Sequence, residues 1–171
     1  ISGSPTAKSI TTCLIITVNL MCQIPTTGSR ATSTQSICNA ARSFKGTPYK
    51  HQGRTPGAGL DCIGLVMAAH QTAGIEFDLP TDYSRVPRPA LLLKHLGRYC
   101  HTVPVQEMAA GDILLLKLRH YPQHLALYVG ENSIVHSYQA ARKVIEQELD
   151  PRTRKMIHSV HRLKEWDHYS A

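Results

Sequence analysis

The spacing of apolar residues divides the chain into a helical first half and a strand-rich second half. Ile37, Ala40, Ala41 and Phe44 recur at three- and four-residue intervals, which predicts a helix over 32–44 with one apolar stripe. Gly46-Thr47-Pro48 ends it. A loop follows over 50–60, with Gly53, Pro56, Gly57 and Gly59 as its turn residues. Asp61 is then placed to cap a helix from Cys62 to about Ala73, which buries Leu65, Val66, Ala69 and Ala73 and stops at Gly74. After an irregular connection over 80–89, residues 90–96 predict a short helix and 100–105 an extended segment. Beyond the Gly111-Asp112 turn the pattern becomes that of strands, at 113–118, 125–129, 133–138, 143–149 and 160–163. A loop at 119–123 contains Pro122, Gly130-Glu131-Asn132 reads as a hairpin turn, and Asp150-Pro151 opens another turn. Helices first and then a meander of strands predict an α+β fold, the N-terminal helices packed on an antiparallel sheet.

Composition refines this without overturning it. A length of 171 residues suits one domain, and 42% apolar with 18% charged residues is ordinary for a globular chain. Residues 1–30 are rich in Ser and Thr and poor in charge, so they read as an appendage to a domain over 31–171. Within them Ile10 to Met21 is mildly apolar but holds Thr11, Thr12, Thr17 and Asn19, short of the ~20 apolar residues of a membrane span. Lys8 before it and small residues after it give only a faint look of an export signal; a short strand or a non-native extension fits equally. Lys and Arg number 19 against 12 Asp and Glu, a net charge of +7 that favours an anionic partner: nucleic acid, a membrane surface or cell-wall polymer. The basic residues are scattered, with a mild C-terminal concentration at Arg152, Arg154, Lys155, Arg162 and Lys164, and no basic stripe interleaves with aromatics, so no nucleic-acid partner is expected. The five cysteines are irregularly spaced and lack a CxxC pair, which argues against a cysteine zinc cluster or a disulfide scaffold and leaves at least one free thiol.

Cys62 is the thiol in a chemically useful place. It opens a helix after a glycine-rich loop, where the helix dipole and a nearby imidazolium lower a thiol's pKa, and Gly64 would leave room beside the sulfur. A small buried core residue is the bland alternative. Ten histidines offer bases. If the hairpin is centred on Glu131, His124 opposes Tyr138 and Ala126 opposes His136, so the two histidines are diagonal neighbours on one face. That suits a base and the group that orients it; two polar residues on a solvent face, or part of a metal site lacking a third ligand, are the alternatives. His120, Tyr121 and Pro122 are placed to edge a cleft, though an exposed loop is the simpler account, and the cationic C-terminal stretch with His158 and His161 could bind anionic wall polymer, though a solvated face is the simpler account.

Gly46-Thr47-Pro48-Tyr49, Gly53 and Leu60-Asp61-Cys62-Ile63-Gly64-Leu65-Val66 together resemble the nucleophile region of the NlpC family of cell-wall cysteine peptidases. Ala110-Gly111-Asp112-Ile113-Leu114, His124-Leu125-Ala126-Leu127-Tyr128-Val129-Gly130 and Ile134-Val135-His136-Ser137 resemble its later strands, in the same order. The likeness covers roughly 32–165, and the wording from Pro48 to Asp61 is closest to the branch in phage tails and gene transfer particles. It implies a papain-like fold in which Cys62 attacks an amide carbonyl, His124 moves the proton and His136 orients His124. Tyr49 and the Cys62 N–H would sit at the oxyanion, and Asp61 would cap the helix or meet a substrate amine. The implied substrate is peptidoglycan stem peptide, at the bond joining D-glutamate through its γ-carboxyl to a diamino acid, with no cofactor or metal. The resemblance also implies phage tail or tail-like particle proteins as partners, and a secreted, periplasmic or tail-associated location. Two departures stand out: Ile63 where Ser is common, and Lys50-His51-Gln52 where Trp-Gly is usual. The rivals are an amidase or acyltransferase on another substrate, and an inactive wall-binding or tail module.

Overall fold

A computed structural model describes residues 30–81, 83–84 and 88–164. The appendage expected over 1–30 therefore lies, but for its last residue, outside the described residues, as do Cys13 and Cys22.

Helix α1 (Arg30–Ser43) buries the expected stripe of Ile37, Ala40 and Ala41. The glycine-rich loop is more ordered than a plain loop: Arg54–Thr55 (β1) and Gly59–Leu60 (β2) pair as a small antiparallel ribbon. Helix α2 (Cys62–Thr72) follows at once. It is buried nearly all round, from Ile63 through His70, rather than along one face, because α1 and the sheet cover it from two sides. Helix α3 (Pro89–Tyr99) runs three residues beyond its expected end and leads directly into β3 (Cys100–Val103).

The remaining strands are β4 (Ile113–Leu118), β5 (Tyr121–Gly130), β6 (Ser133–Tyr138), β7 (Lys143–Glu148) and β8 (Ile157–Leu163), with a short helix α4 (Pro151–Lys155) between the last two. They form one six-stranded sheet in the order β3-β8-β4-β5-β6-β7. The strands β4 to β7 are the expected meander, but β8 crosses back to lie on the other side of β4. The start of β5 differs from expectation. Pro122 lies inside the strand, where a register shift opposite Lys117 leaves Gln123 as the extra residue, and a bulge tolerates a missing N–H.

Alternation along the strands builds two cores. Leu125, Leu127, Val135 and Val144 pack with α1 and α2; Leu114, Ala126, Ile134 and Val160 pack on the opposite face, with Met156 at the end of α4. The sheet edge at β7 is closed by the segment after α1: Gly46 N–H donates to Val144 C=O, Val144 N–H to Thr47 C=O and Tyr49 N–H to Arg142 C=O. The other side of that segment bonds to β2, through Lys50 N–H to Leu60 C=O and Leu60 N–H to Pro48 C=O. Tyr49 is thus clamped between the sheet edge and the ribbon that delivers Asp61 and Cys62.

Candidate active site

Asp61 caps α2, its carboxylate accepting from Gly64 N–H at 2.8 Å. It accepts three further bonds: from Gln52 N–H at 2.7 Å, from Arg54 Nη1 at 2.9 Å, and from the Tyr83 hydroxyl. With 2% of its surface exposed and both oxygens engaged, Asp61 is a structural hub; a substrate amine would have to compete with four donors. The Tyr83 phenol, desolvated and bonded to that carboxylate, is held well above its ordinary pKa. Tyr83 carries no motif signal in the sequence, and Arg54, though inside the Pro48 to Asp61 stretch, is given its role only by the cap it completes.

The capped helix presents Cys62 to a cleft of about 680 Å³ whose wall includes Tyr49, Asp61, Cys62 and His124. Gly64 does not leave room for a ligand, as its position suggested. A Cβ there would overlap the Gly53 carbonyl oxygen, so this glycine lets the chain just before β1 press against the first turn of α2. Ile63 is 8% exposed, shared between the core and the cleft wall. The thiol is also less acidic than a helix start suggests. Burial, and then the Asp61 charge, push Cys62 up to about 12, while main-chain N–H groups of Leu125, Ile63 and Cys62 itself pull the other way. The resting thiol is protonated.

His124 precedes Leu125 in β5, so the thiol and the imidazole meet the same short piece of strand. The hairpin has the expected register: Leu127 opposes Val135 and Tyr128 opposes Ile134. Extended downward, it sets His124 against Tyr138 and Ala126 against His136. The two histidines make the diagonal contact, His124 Nε2 to His136 Nδ1 at 2.7 Å, with ring centroids 5.0 Å apart. Tyr138 stacks on His136 at 5.2 Å and leans on His124 at 6.0 Å, screening the pair. The histidines are 5% and 3% exposed. Burial lowers His124 to about 3 and His136 to about 4, the second histidine adding to the drop in the first and a Gln147 hydrogen bond opposing it in the other. Both rings are therefore neutral at pH 7.

His136 Nε2 meets Gln147 Oε1 at 3.0 Å, a partner that the sequence did not disclose. On β7 it repeats the same diagonal: His136 opposes Ile145 and Ile134 opposes Gln147. Ser137 Oγ, fully buried, donates to Leu60 C=O at 2.6 Å and ties β6 to the residue before Asp61. Pro122 does edge the cleft, along with Leu118 and Arg119, while Tyr121 points out and is 56% exposed. The C-terminal stretch is not wholly a solvated face: His161 is 3% exposed and pairs with Ser159, and Arg162 reaches buried Asp112 at 2.9 and 2.8 Å. Among the described residues no group of three His, Cys, Asp or Glu side chains is placed to hold a metal ion, and no helix is long and apolar enough to cross a membrane.

The sequence pattern of the NlpC/P60 family matches residues 46–162, which hold every side chain of this cleft named above. The chain belongs to the NlpC/P60 family. A probable endopeptidase of Mycobacterium tuberculosis is 33% identical over 102 residues, covering 60% of this chain and 23% of that protein. The gamma-DL-glutamyl hydrolase of Bacillus subtilis is 30% identical over 118 residues, covering 67% of this chain and 26% of that protein. This NlpC/P60 chain thus spans about a quarter of the length of these curated relatives. Among solved structures, a NlpC/P60 family protein from Bacillus cereus superposes with a TM-score of 0.61 at 22% identity, over 82% of this chain and 41% of that one. The fold is accordingly the papain-like α+β fold of the NlpC/P60 family.

Proposed function

We propose that this NlpC/P60 domain hydrolyses amide bonds in peptidoglycan stem peptides, with Cys62 as nucleophile and His124 as its base. The observation that supports this reading best is the ordered arrangement of three groups: a thiol on a capped helix start, a buried imidazole on the neighbouring strand and a second imidazole 2.7 Å behind it. His124 Nε2 is taken by His136, which leaves Nδ1 for the thiol proton. Because the resting pair is neutral, His124 takes that proton as Cys62 attacks the carbonyl carbon. The tetrahedral oxyanion is stabilised by the Cys62 N–H, free of intrahelical bonding in the first turn, with Tyr49 in the same cleft. His124 then returns the proton to the leaving amine, and water releases the acyl group from sulfur by the same route. No step calls for a metal or cofactor.

The bond we assign is the γ-D-glutamyl link to the diamino acid, a reading supported by the likeness to the Bacillus subtilis hydrolase. With that substrate the domain would act outside the cytoplasmic membrane, secreted, periplasmic or carried on a tail. A synthetic L-Ala-γ-D-Glu-diamino acid tripeptide tests it. The expected products are L-Ala-D-Glu and the free diamino acid; cleavage between L-Ala and D-Glu, or transfer of the acyl group to an added amine in preference to water, would contradict it. An inert wall-binding module needs none of the buried polar chain behind Cys62, and no observation favours it here.

A further inference from the structure

The histidine pair does not end at His136. Gln147 Oε1 lies 3.0 Å from His136 Nε2, and Gln147 Nε2 lies 3.3 Å from Thr153 Oγ1 in α4. Thr153 is 9% exposed, and its N–H bonds Asp150 at 2.6 Å as the cap of α4. The contacts with Thr153 hold Asp150 below its usual range. Each polar atom in this line has one role left to it. The Thr153 N–H bond to Asp150 holds Thr153 in place, and the Thr153 oxygen accepts from the Gln147 amide. The Gln147 NH₂ therefore faces Thr153, and its carbonyl faces His136. A carbonyl only accepts, so His136 carries its proton on Nε2 and presents a lone pair at Nδ1. His124 must then donate from Nε2, which leaves Nδ1 bare.

We infer that Asp150, Thr153 and Gln147 are positioning residues that fix the tautomers of His136 and His124 and so keep the His124 Nδ1 lone pair free to receive the Cys62 proton. The inference rests on the catalytic reading of Cys62 and His124, but the tautomers themselves can be read without any substrate. The line also gives α4 a reason to be where it is. A five-residue helix contributes little stability by itself, yet its capping residue is the end that orients the chain of bonds. A reversed amide at Gln147 would set NH₂ against His136, forcing its proton onto Nδ1 and that of His124 onto Nδ1 in turn, where it blocks the thiol.

Long-range ¹H–¹⁵N spectra of the histidine side chains at pH 7 test this on Cys62→Ala protein and on the wild type. Both His124 and His136 are expected as single Nε2–H tautomers. In Gln147→Leu, His136 and then His124 become tautomer mixtures, and kcat for stem peptide falls by at least about tenfold with KM little changed, since loss of the tautomer-fixing partner in a hydrolase triad costs up to about 10⁴ in kcat. Gln147→Glu keeps an acceptor toward His136 and restores the single tautomers. An Nδ1–H tautomer at His136 in the wild type overturns the inference, as does a folded Gln147→Leu protein with unchanged tautomers. Should Gln147→Leu fail to fold, Thr153→Val is the second variant: it removes the lone pair and the proton together, and an unchanged histidine spectrum there overturns the inference as well. The expected tautomers in a protein that leaves wall peptides uncut would sink the hydrolase reading alone and leave the positioning role standing.

Discussion

Cys62 sits in two opposing fields. Main-chain N–H groups of the first turn and of Leu125 favour a thiolate, while burial and the Asp61 charge oppose it and prevail. Asp61→Asn keeps an oxygen for the Gly64 cap but removes the charge. The Cys62 pKa is then expected to fall, and the rate of alkylation by iodoacetamide at pH 7 to rise; an unchanged or slower rate would count against this balance. In the wild type, Cys62 is expected to react faster than Cys38 and Cys100, both of which are buried at 2% exposure. The histidines give the corresponding acid limb. With His136 near 4 and His124 lower still, kcat/KM is expected to hold as pH falls through 6.5 and to decline only well below it; a half-point at 6.5 would mean a solvated base. His70 answers to stability rather than activity. It is fully buried against Phe77 at 4.5 Å, donates from Nδ1 to Val66 C=O at 2.7 Å, and has no partner at Nε2 among the described residues. Burial lowers it from 6.5 to about 4. The unfolded chain therefore binds the extra proton first: stability is full above 6.5 and declines as pH falls toward 4. The loss is roughly 3 kcal/mol at most, because each pH unit between those two values is worth about 1.4 kcal/mol. Urea midpoints of wild type and His70→Leu between pH 4 and 7 should diverge in this sense, and parallel curves would refute it.

At the scale of elements, the first turn of α2 and the β1–β2 ribbon are built as one piece. Gly64 lets the first turn of α2 touch the Gly53 carbonyl, and Asp61 ties both through Gly64, Gln52 and Arg54. Gly64→Ala is expected to cost about 1–3 kcal/mol in urea unfolding, because the obstacle is main chain rather than a yielding side chain; wild-type stability would show that the contact is loose. The sequence made these elements legible where local patterns decide them: the stripe from Ile37 to Ala41, the limits of β4 and β6, and the register of the β5–β6 hairpin. It misled where one residue has two meanings. Pro122 reads as a strand breaker but occupies a bulge, and Gly64 reads as space beside the sulfur but serves a backbone contact. Spacing and likeness both point to Cys62, His124 and His136, and the structure puts Cys62 and His124 on one cleft and the two histidines in contact. Gln147 was not legible, because a glutamine in a strand means nothing until the register brings it two positions along from His136. A helix start alone shows neither the desolvation of Cys62 nor the Asp61 charge beside it, both of which raise its pKa.

At the scale of the whole molecule, the net charge of +7 finds local expression at the cleft. Its ionisable wall residues include Arg88, Arg119, His51 and His95, while Asp61 is already matched by Arg54. A stem peptide carries free carboxylates unless they are amidated. Peptides with free carboxylates are therefore expected to be cleaved up to about fivefold more efficiently than their amidated forms, the range of an exposed ion pair, with the difference lost in high salt. Equal rates for the two forms would remove electrostatics from substrate choice. The most direct measurement of the central claim is mass spectrometry of the soluble peptides released from purified peptidoglycan by the wild type and by Cys62→Ala at equal concentration and equal thermal stability. The account predicts γ-glutamyl cleavage products from the wild type and none above background from Cys62→Ala. The same products from both proteins would contradict it.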